Sequence, residues 1–229
     1  MIRIAATAGL TLLCFVLSSC AGTYRAVTND YDTDAPFVDS ITPLHGVSGE
    51  EVTFEATLCL PSGARIKLDE ETGDYVFDGQ AVWNFGGGAE PNLSHDLSPT
   101  VILRDGLRSP YECTLHLKGN CTGEEDNLEA DYTFTLSVAP LTVVGVTPTT
   151  GAGGSTAIFS AIIGSGNVTN VAWDFGGACS PNGSNEVNPN VNFVDFASGP
   201  YNCRVIVSNA YELYEFPFVL QVTPKPEDN

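Results

Sequence analysis

The sequence predicts an all-β protein: two tandem β-sandwiches behind a short apolar leader. Three observations predict it. Apolar and polar residues alternate with period two over short runs. Gly, Pro and Asn clusters break those runs about every ten residues. A ten-residue block, WNFGGGAEPN at 83–92, returns as WDFGGACSPN at 173–182. No stretch past residue 20 carries a helical period with caps. The 229 residues, 43% hydrophobic, leave room for two cored domains of about 100 residues each.

The leader reads MIRIAATAGLTLLCFVLSSC. Arg3 and the amino terminus make a small positive start, and an apolar run from Ile4 to Leu17 follows. That run is too short to span a membrane comfortably and sits where a signal peptide sits. Leu17-Ser18-Ser19-Cys20, followed by Ala21-Gly22, resembles the lipobox of bacterial lipoproteins. The resemblance implies that 1–19 are a signal peptide and that Cys20 becomes a lipidated first residue carrying palmitate. It also implies the cell envelope, and with Ala rather than Asp at 21, the outer membrane. The alternative is an ordinary secretory signal in which Cys20 is incidental. Residues 20–35 form a tether with little apolar periodicity and a reach of roughly 20 Å. Asp30, Asp32 and Asp34 alternate like the start of a calcium loop. Ala35 and Ile41 then stand where an EF-hand requires Gly and Glu, so a solvated acidic tether is the better reading.

The repeat extends beyond the opening block. Trp83, Phe85, Pro91, Asn92, Pro99, Tyr111 and Cys113 match Trp173, Phe175, Pro181, Asn182, Pro189, Tyr201 and Cys203, all 90 positions on. Upstream the offset is 105, pairing Ile41-Thr42-Pro43 with Val146-Thr147-Pro148. Downstream it is 84, pairing Phe134–Val138 with Phe218–Val222. Two copies follow, 36–139 and 140–225, with a tail at 226–229. The first holds roughly 15 extra residues before its Trp and about 6 after Cys113. Val52–Leu58 and Tyr201–Val207 alternate as strands, and Ala64–Leu68 is expected to pair with Tyr75–Phe77 as a hairpin within the first insertion.

Trp83-Asn84-Phe85-Gly86-Gly87 and Trp173-Asp174-Phe175-Gly176-Gly177 resemble the Trp-x-Phe-Gly strand and turn of the polycystic kidney disease (PKD) domain. Pro99-Thr100-Val101 with Tyr111, and Pro189-Asn190-Val191 with Gly199-Pro200-Tyr201, carry the likeness further. It covers nearly all of 36–224 and implies two immunoglobulin-like (PKD-like) sandwiches of the kind found in bacterial extracellular proteins. Trp and Phe two residues apart share one strand face and fill the space between sheets. The glycines supply positive φ where the chain leaves the strand. A phosphate loop would need a following helix to offer its amides, and here Pro-Asn follows instead.

Five cysteines remain after Cys14 and Cys20: Cys59, Cys113, Cys121, Cys179 and Cys203. The immunoglobulin-like topology implied by the resemblance sets Cys179 and Cys203 at one end of copy two. It sets Cys59 and Cys121 at the opposite end of copy one. The expected bridges are Cys179–Cys203 and Cys59–Cys121, each stabilising by about 3–4 kcal/mol, with Cys113 buried and free. The competing pair is Cys59–Cys113.

Asp and Glu outnumber Lys and Arg 28 to 9, a net charge of −19, which argues against nucleic acid as a partner. The two insertions carry acidic clusters: Asp69, Glu70, Glu71 and Asp74 in the first, Glu124, Glu125 and Asp126 in the second. Gathered at one end of copy one, they would suit calcium or a basic partner. Two solvated loops are the alternative. His45, His95 and His116 show no metal-ligand spacing, and no nucleophile motif occurs. No cofactor and no enzyme is expected. Two functions remain: a lipid-anchored interaction module for protein or glycan, and a spacer that holds its outer end away from the membrane.

Overall fold

The computed structural model describes residues 37–60, 65–69, 76–121, 127–196 and 198–225, with the backbone alone at 121, 127 and 128. The leader, Cys20, the tether, Glu70, Glu71, Asp74, Glu124, Glu125 and Asp126 lie outside the described residues. The first copy runs β1 (Phe37–Thr42), β2 (His45–Val47), β3 (Glu51–Thr53), β4 (Glu55–Cys59), β5 (Arg65–Lys67) and β6 (Phe77–Asn84). It continues with β7 (Ala89–Glu90), β8 (Leu93–Ser94), β9 (Thr100–Leu103), β10 (Tyr111–Cys121) and β11 (Asn127–Ala139). The second copy runs β12 (Thr142–Thr147), β13 (Thr150–Ala152), β14 (Thr156–Ile158), β15 (Ser160–Ser165) and β16 (Asn170–Asp174). It ends with β17 (Cys179–Ser180), β18 (Gly183–Ser184), β19 (Asn190–Phe193), β20 (Gly199–Ser208) and β21 (Leu213–Thr223). Among the described residues the only helical turn is a 3-10 turn at Gly106–Arg108.

Each copy is an immunoglobulin-like sandwich. A five-stranded sheet, β2-β11-β10-β6-β8, faces two short sheets, β1-β4-β5 and β3-β9-β7. The second copy repeats this as β13-β21-β20-β16-β18 against β12-β15 and β14-β19-β17. The first short strand of each five-stranded sheet runs parallel to the last strand of its copy, β2 beside β11 and β13 beside β21; the other pairings are antiparallel. The alternation read over Val52–Leu58 holds, but its hydrogen bonds change partner midway. β3 pairs with β9, β4 pairs with β1, and buried Phe54 marks the change. Phe159 does the same in copy two.

Two separate cores result, one drawn from Val38–Val138 and one from Leu141–Val222. Trp83 stacks on Phe85 with rings 10° from parallel and meets Phe134 edge-on. Trp173 stacks on Phe175 and meets Phe218 in the same way. Each indole N–H finds a backbone carbonyl at 3.0 Å, Asp96 for Trp83 and Glu186 for Trp173, so the ring is buried without stranding its polar atom.

The expected hairpin between Ala64–Leu68 and Tyr75–Phe77 does not form within the described residues. β5 adds to the outer edge of β4 instead, pairing Lys67 with Thr57, Ile66 with Leu58 and Arg65 with Cys59. Phe77 starts β6 and pairs with Cys121. The physical reason is amphipathic. Ile66 and Leu68 are buried in the first core, while Arg65 and Lys67 reach Asp39 at 3.2 Å and Glu55 at 3.0 Å.

Candidate functional site

The duplicated glycine turns hold no ligand cradle. Gly86 and Gly87 have φ of 62° and 91°, and Gly176 and Gly177 have 62° and 88°. The Gly86 amide donates to Asn84 Oδ1 and the Gly87 amide to Asn92 Oδ1. In copy two the same two amides donate to Asp174 and Asn182. The side chains of the turn itself take the N–H groups that a phosphate would need. Gly86 also packs its Cα against the Glu112 carbonyl, where a Cβ would collide.

The cysteines differ from expectation. Cys113, Cys179 and Cys203 are free thiols, all buried, so the expected Cys179–Cys203 bridge is absent from the structure. The Cys203 thiol lies along its own strand and donates to the Tyr201 carbonyl at 3.6 Å, as Cys113 does to Tyr111 at 3.7 Å. Cys59 is disulfide-bonded. Since Cys113 is free, the Cys59–Cys113 alternative does not form. The side chain of Cys121, the expected partner, lies outside the described residues.

Burial pushes the Cys113 and Cys203 thiols up to about 11. Burial and then the neighbouring Cys203 push Cys179 to about 12. The folded chain therefore holds these protons more tightly than the unfolded chain, where the ordinary value is 9.0. The stability they contribute is whole below pH 9 and is lost as pH rises toward 11–12. We expect iodoacetamide at pH 8 to leave all three unlabelled in the native protein and to label all three in urea without reductant. A Cys179–Cys203 peptide surviving that treatment would contradict the structure.

Between the two cores the chain passes through Pro140, and there the domains lock together. Glu212, in the loop from β20 to β21, is buried. One carboxylate oxygen accepts the Gly106 N–H from copy one, and the other accepts the Leu141 N–H at the start of copy two at 2.5 Å. Asn209 shapes that loop by accepting the N–H groups of Tyr211 and Glu212, each at 2.9 Å, and donates to buried Ser48 Oγ across the junction at 3.0 Å. Asn167 makes two more crossings, its backbone N–H to the Ser48 carbonyl at 2.7 Å and its side-chain amide to the Gly49 carbonyl at 3.0 Å. Gly49, at φ of 80°, lets the backbones approach that closely. The Ser165 hydroxyl closes on the Pro140 carbonyl.

Beside these bonds a polar cleft of about 410 Å³ opens, lined from copy one by Gly86, Gly87, Arg104, Asp105, Arg108 and Tyr111 and from copy two by Ala210 and Tyr211. Arg104 lies over the Tyr211 ring at 5.4 Å and also reaches Glu90 at 3.6 Å. Arg108 is held by Asp105 at 3.2 Å, and the Tyr111 phenol donates to the Asp105 carbonyl. Burial, then Asp105, raises that phenol above its usual range. The cleft thus gathers two of the chain's nine cationic side chains on a protein of net charge −19. Its lining offers the Arg104 and Arg108 guanidiniums and the Tyr111 and Tyr211 rings, groups suited to holding a polar or anionic partner.

Of the residues singled out in the sequence, Trp83, Phe85, Tyr111, Trp173 and Phe175 are core or near-core, and Tyr201 is half-buried. Asp69 is exposed. His116 pairs with Asp131 at 2.8 Å across β10 and β11, on the surface. No metal-binding group of side chains occurs among the described residues, and none of their helices is long and apolar enough to cross a membrane. The junction residues escaped sequence reading. The only signal was that Arg104 and Arg108 fall close together in a chain poor in cations.

The fold and junction define a tandem pair of immunoglobulin-like domains. No family profile and no curated protein matches the sequence. Among solved structures, Sidekick-1 immunoglobulin domains 1–5 align at 9% identity and a TM-score of 0.37, over 83% of this chain and 40% of that one. An amphioxus IgVJ-C2 molecule aligns at 13% and 0.31, over 77% and 99%. The titin domains z1z2, solved in complex with telethonin, align at 15% and 0.28, over 84% and 98%. None of these scores bears on function.

Proposed function

We propose that the chain is a non-enzymatic, lipid-anchored protein of the bacterial cell envelope whose two PKD-like domains bind a protein or glycan partner. The observation that carries this reading is the junction cleft, a polar opening walled by both domains and held in shape by Glu212. A binding surface shared by two domains is kept only if the domains cannot swing apart, and the junction bonds prevent that. Anchoring through Cys20 rests on the lipobox resemblance, with the outer membrane as the expected site. Cross-linking in intact cells tests the reading: a partner is expected with the native protein and is expected to be lost with Arg104→Ala/Arg108→Ala. Labelled palmitate is expected to mark the native chain and not Cys20→Ala. Labelling that persists would refute the anchor.

The spacer reading has its own support in the same buried carboxylate, because a locked junction makes two domains one stiff unit. It predicts that cells tolerate Arg104→Ala/Arg108→Ala and fail with Glu212→Ala. The calcium reading of the acidic insertions falls mostly on residues outside the described set. A calorimetric titration showing no heat with calcium would dismiss it.

A further inference from the structure

The two copies treat one sheet edge differently. In copy one, β5 covers the outer edge of β4. In copy two, β15 pairs with β12 on one side, and among the described residues no strand pairs with its other side. The equivalence of the strands is fixed by register, since Ile41 faces Ala56 in the first pair and Val146 faces Ala161 in the second. Thr57 and Leu58, which β5 covers, therefore correspond to Ile162 and Ile163.

What β5 buries in copy one lies open in copy two. Leu58 is 0% exposed and Ile163 is 38% exposed. Half-buried Leu97 packs on the first core, while its counterpart Val187 is 67% exposed. Ile162, in the place of Thr57, is 50% exposed. Together Ala161, Ile163, Val168, Val171 and Val187 line a hollow of about 120 Å³. An unpaired strand edge beside exposed β-branched residues is what proteins ordinarily blunt with charge, Pro or a covering segment. Ser160–Ser165 carries no charged residue and no Pro.

We propose that the open edge of β15 is a docking site for an extended strand of a different protein, which pairs with it as β5 pairs with β4. This deepens the interaction reading above and rests on it. The molecule itself displays the occupant. β5 carries Ile66, and Leu68 follows one residue past its end; both side chains enter the core, while the backbone bonds the edge through the β5 pairing and the Leu68 N–H to the Ala56 carbonyl. The incoming strand needs an apolar residue opposite Ile163, where Ile66 stands opposite Leu58, and a second two residues on to fill the hollow. Charge selects against a second copy of this chain, because each copy brings −19. A neutral or basic strand is favoured, and β5 has Arg65 and Lys67 at its outward positions.

The test uses the full chain and a synthetic peptide with the sequence of residues 62–70. Fluorescence anisotropy is expected to show saturable binding. Hydrogen exchange is expected to slow at the amides of 161–164. Ile163→Asp and, as a milder variant at an exposed position, Val187→Asp should each weaken binding at least tenfold, with unchanged far-ultraviolet circular dichroism. No binding, or protection confined elsewhere, would overturn the proposal. So would a dimer in size exclusion that Ile163→Asp dissolves, since the occupant would then be a second copy. Cross-linked partners in cells that survive both Asp variants would refute the edge while leaving the interaction reading intact.

Discussion

Trp173→Ala is expected to cost the second domain roughly 3–5 kcal/mol, and Trp83→Ala the first domain about the same. Each indole contacts three other rings, Phe54, Phe85 and Phe134 for Trp83 and Phe159, Phe175 and Phe218 for Trp173. Truncation opens a cavity between sheets that their hydrogen-bonded frames resist closing. It also strands the Asp96 or Glu186 carbonyl that the indole N–H satisfied. Urea denaturation followed by intrinsic fluorescence gives a direct readout, because each variant keeps one tryptophan reporting on the other domain. In Trp173→Ala the remaining Trp83 reports the first domain, whose midpoint should fall by less than that of the second, since it loses only its support across the junction. Circular dichroism should show an earlier step for the second domain. A loss below 1 kcal/mol in either variant would mean that the ring does not organise its core.

Glu212→Ala is expected to uncouple the domains while leaving both folded. Its carboxylate accepts two backbone N–H groups, from Gly106 and Leu141, and is buried. Hydrogen bonds to a charged partner contribute about 1.5–3 kcal/mol each, so the junction should lose on the order of 3 kcal/mol. Two donors are also left without an acceptor. The measurable result is a single unfolding transition that splits into two, with a broader interdomain distance distribution by small-angle scattering. Glu212→Gln keeps an acceptor oxygen for one of the two amides and should fall between. If Glu212→Ala unfolds as the native chain does, the pin is not what joins the domains.

Much of this architecture was legible in the sequence because it is written twice. The repeat fixed which Trp, Phe and Gly belong together, and alternation over Val52–Leu58 and Tyr201–Val207 assigned their faces. Period two does not say which neighbour a strand pairs with, so the pairing of β5 with β4 is not readable from it. Its Ile66 and Leu68 fit a hairpin with Tyr75–Phe77 as well as they fit the edge of β4. The expected Cys179–Cys203 bridge fails for a related reason. Topology put Cys179 and Cys203 at one end of the sandwich, but the Cys203 sulfur is turned along its own strand toward Tyr201. The junction was hidden altogether. Ser48, Asn167, Asn209 and Glu212 are ordinary loop residues until two rigid bodies meet, and no local pattern announces that meeting.

The parallel pairings of β2 with β11 and β13 with β21 have a mechanical meaning. In each copy a strand near the start lies alongside the final strand, running the same way, with three residues in register. Tension applied between the two ends of the chain drags these neighbours in opposite directions along their length. Their hydrogen bonds are then loaded together in shear, and none can be peeled off ahead of the others. Each sandwich thereby has a clamp against being drawn out by force, placed in series with its twin.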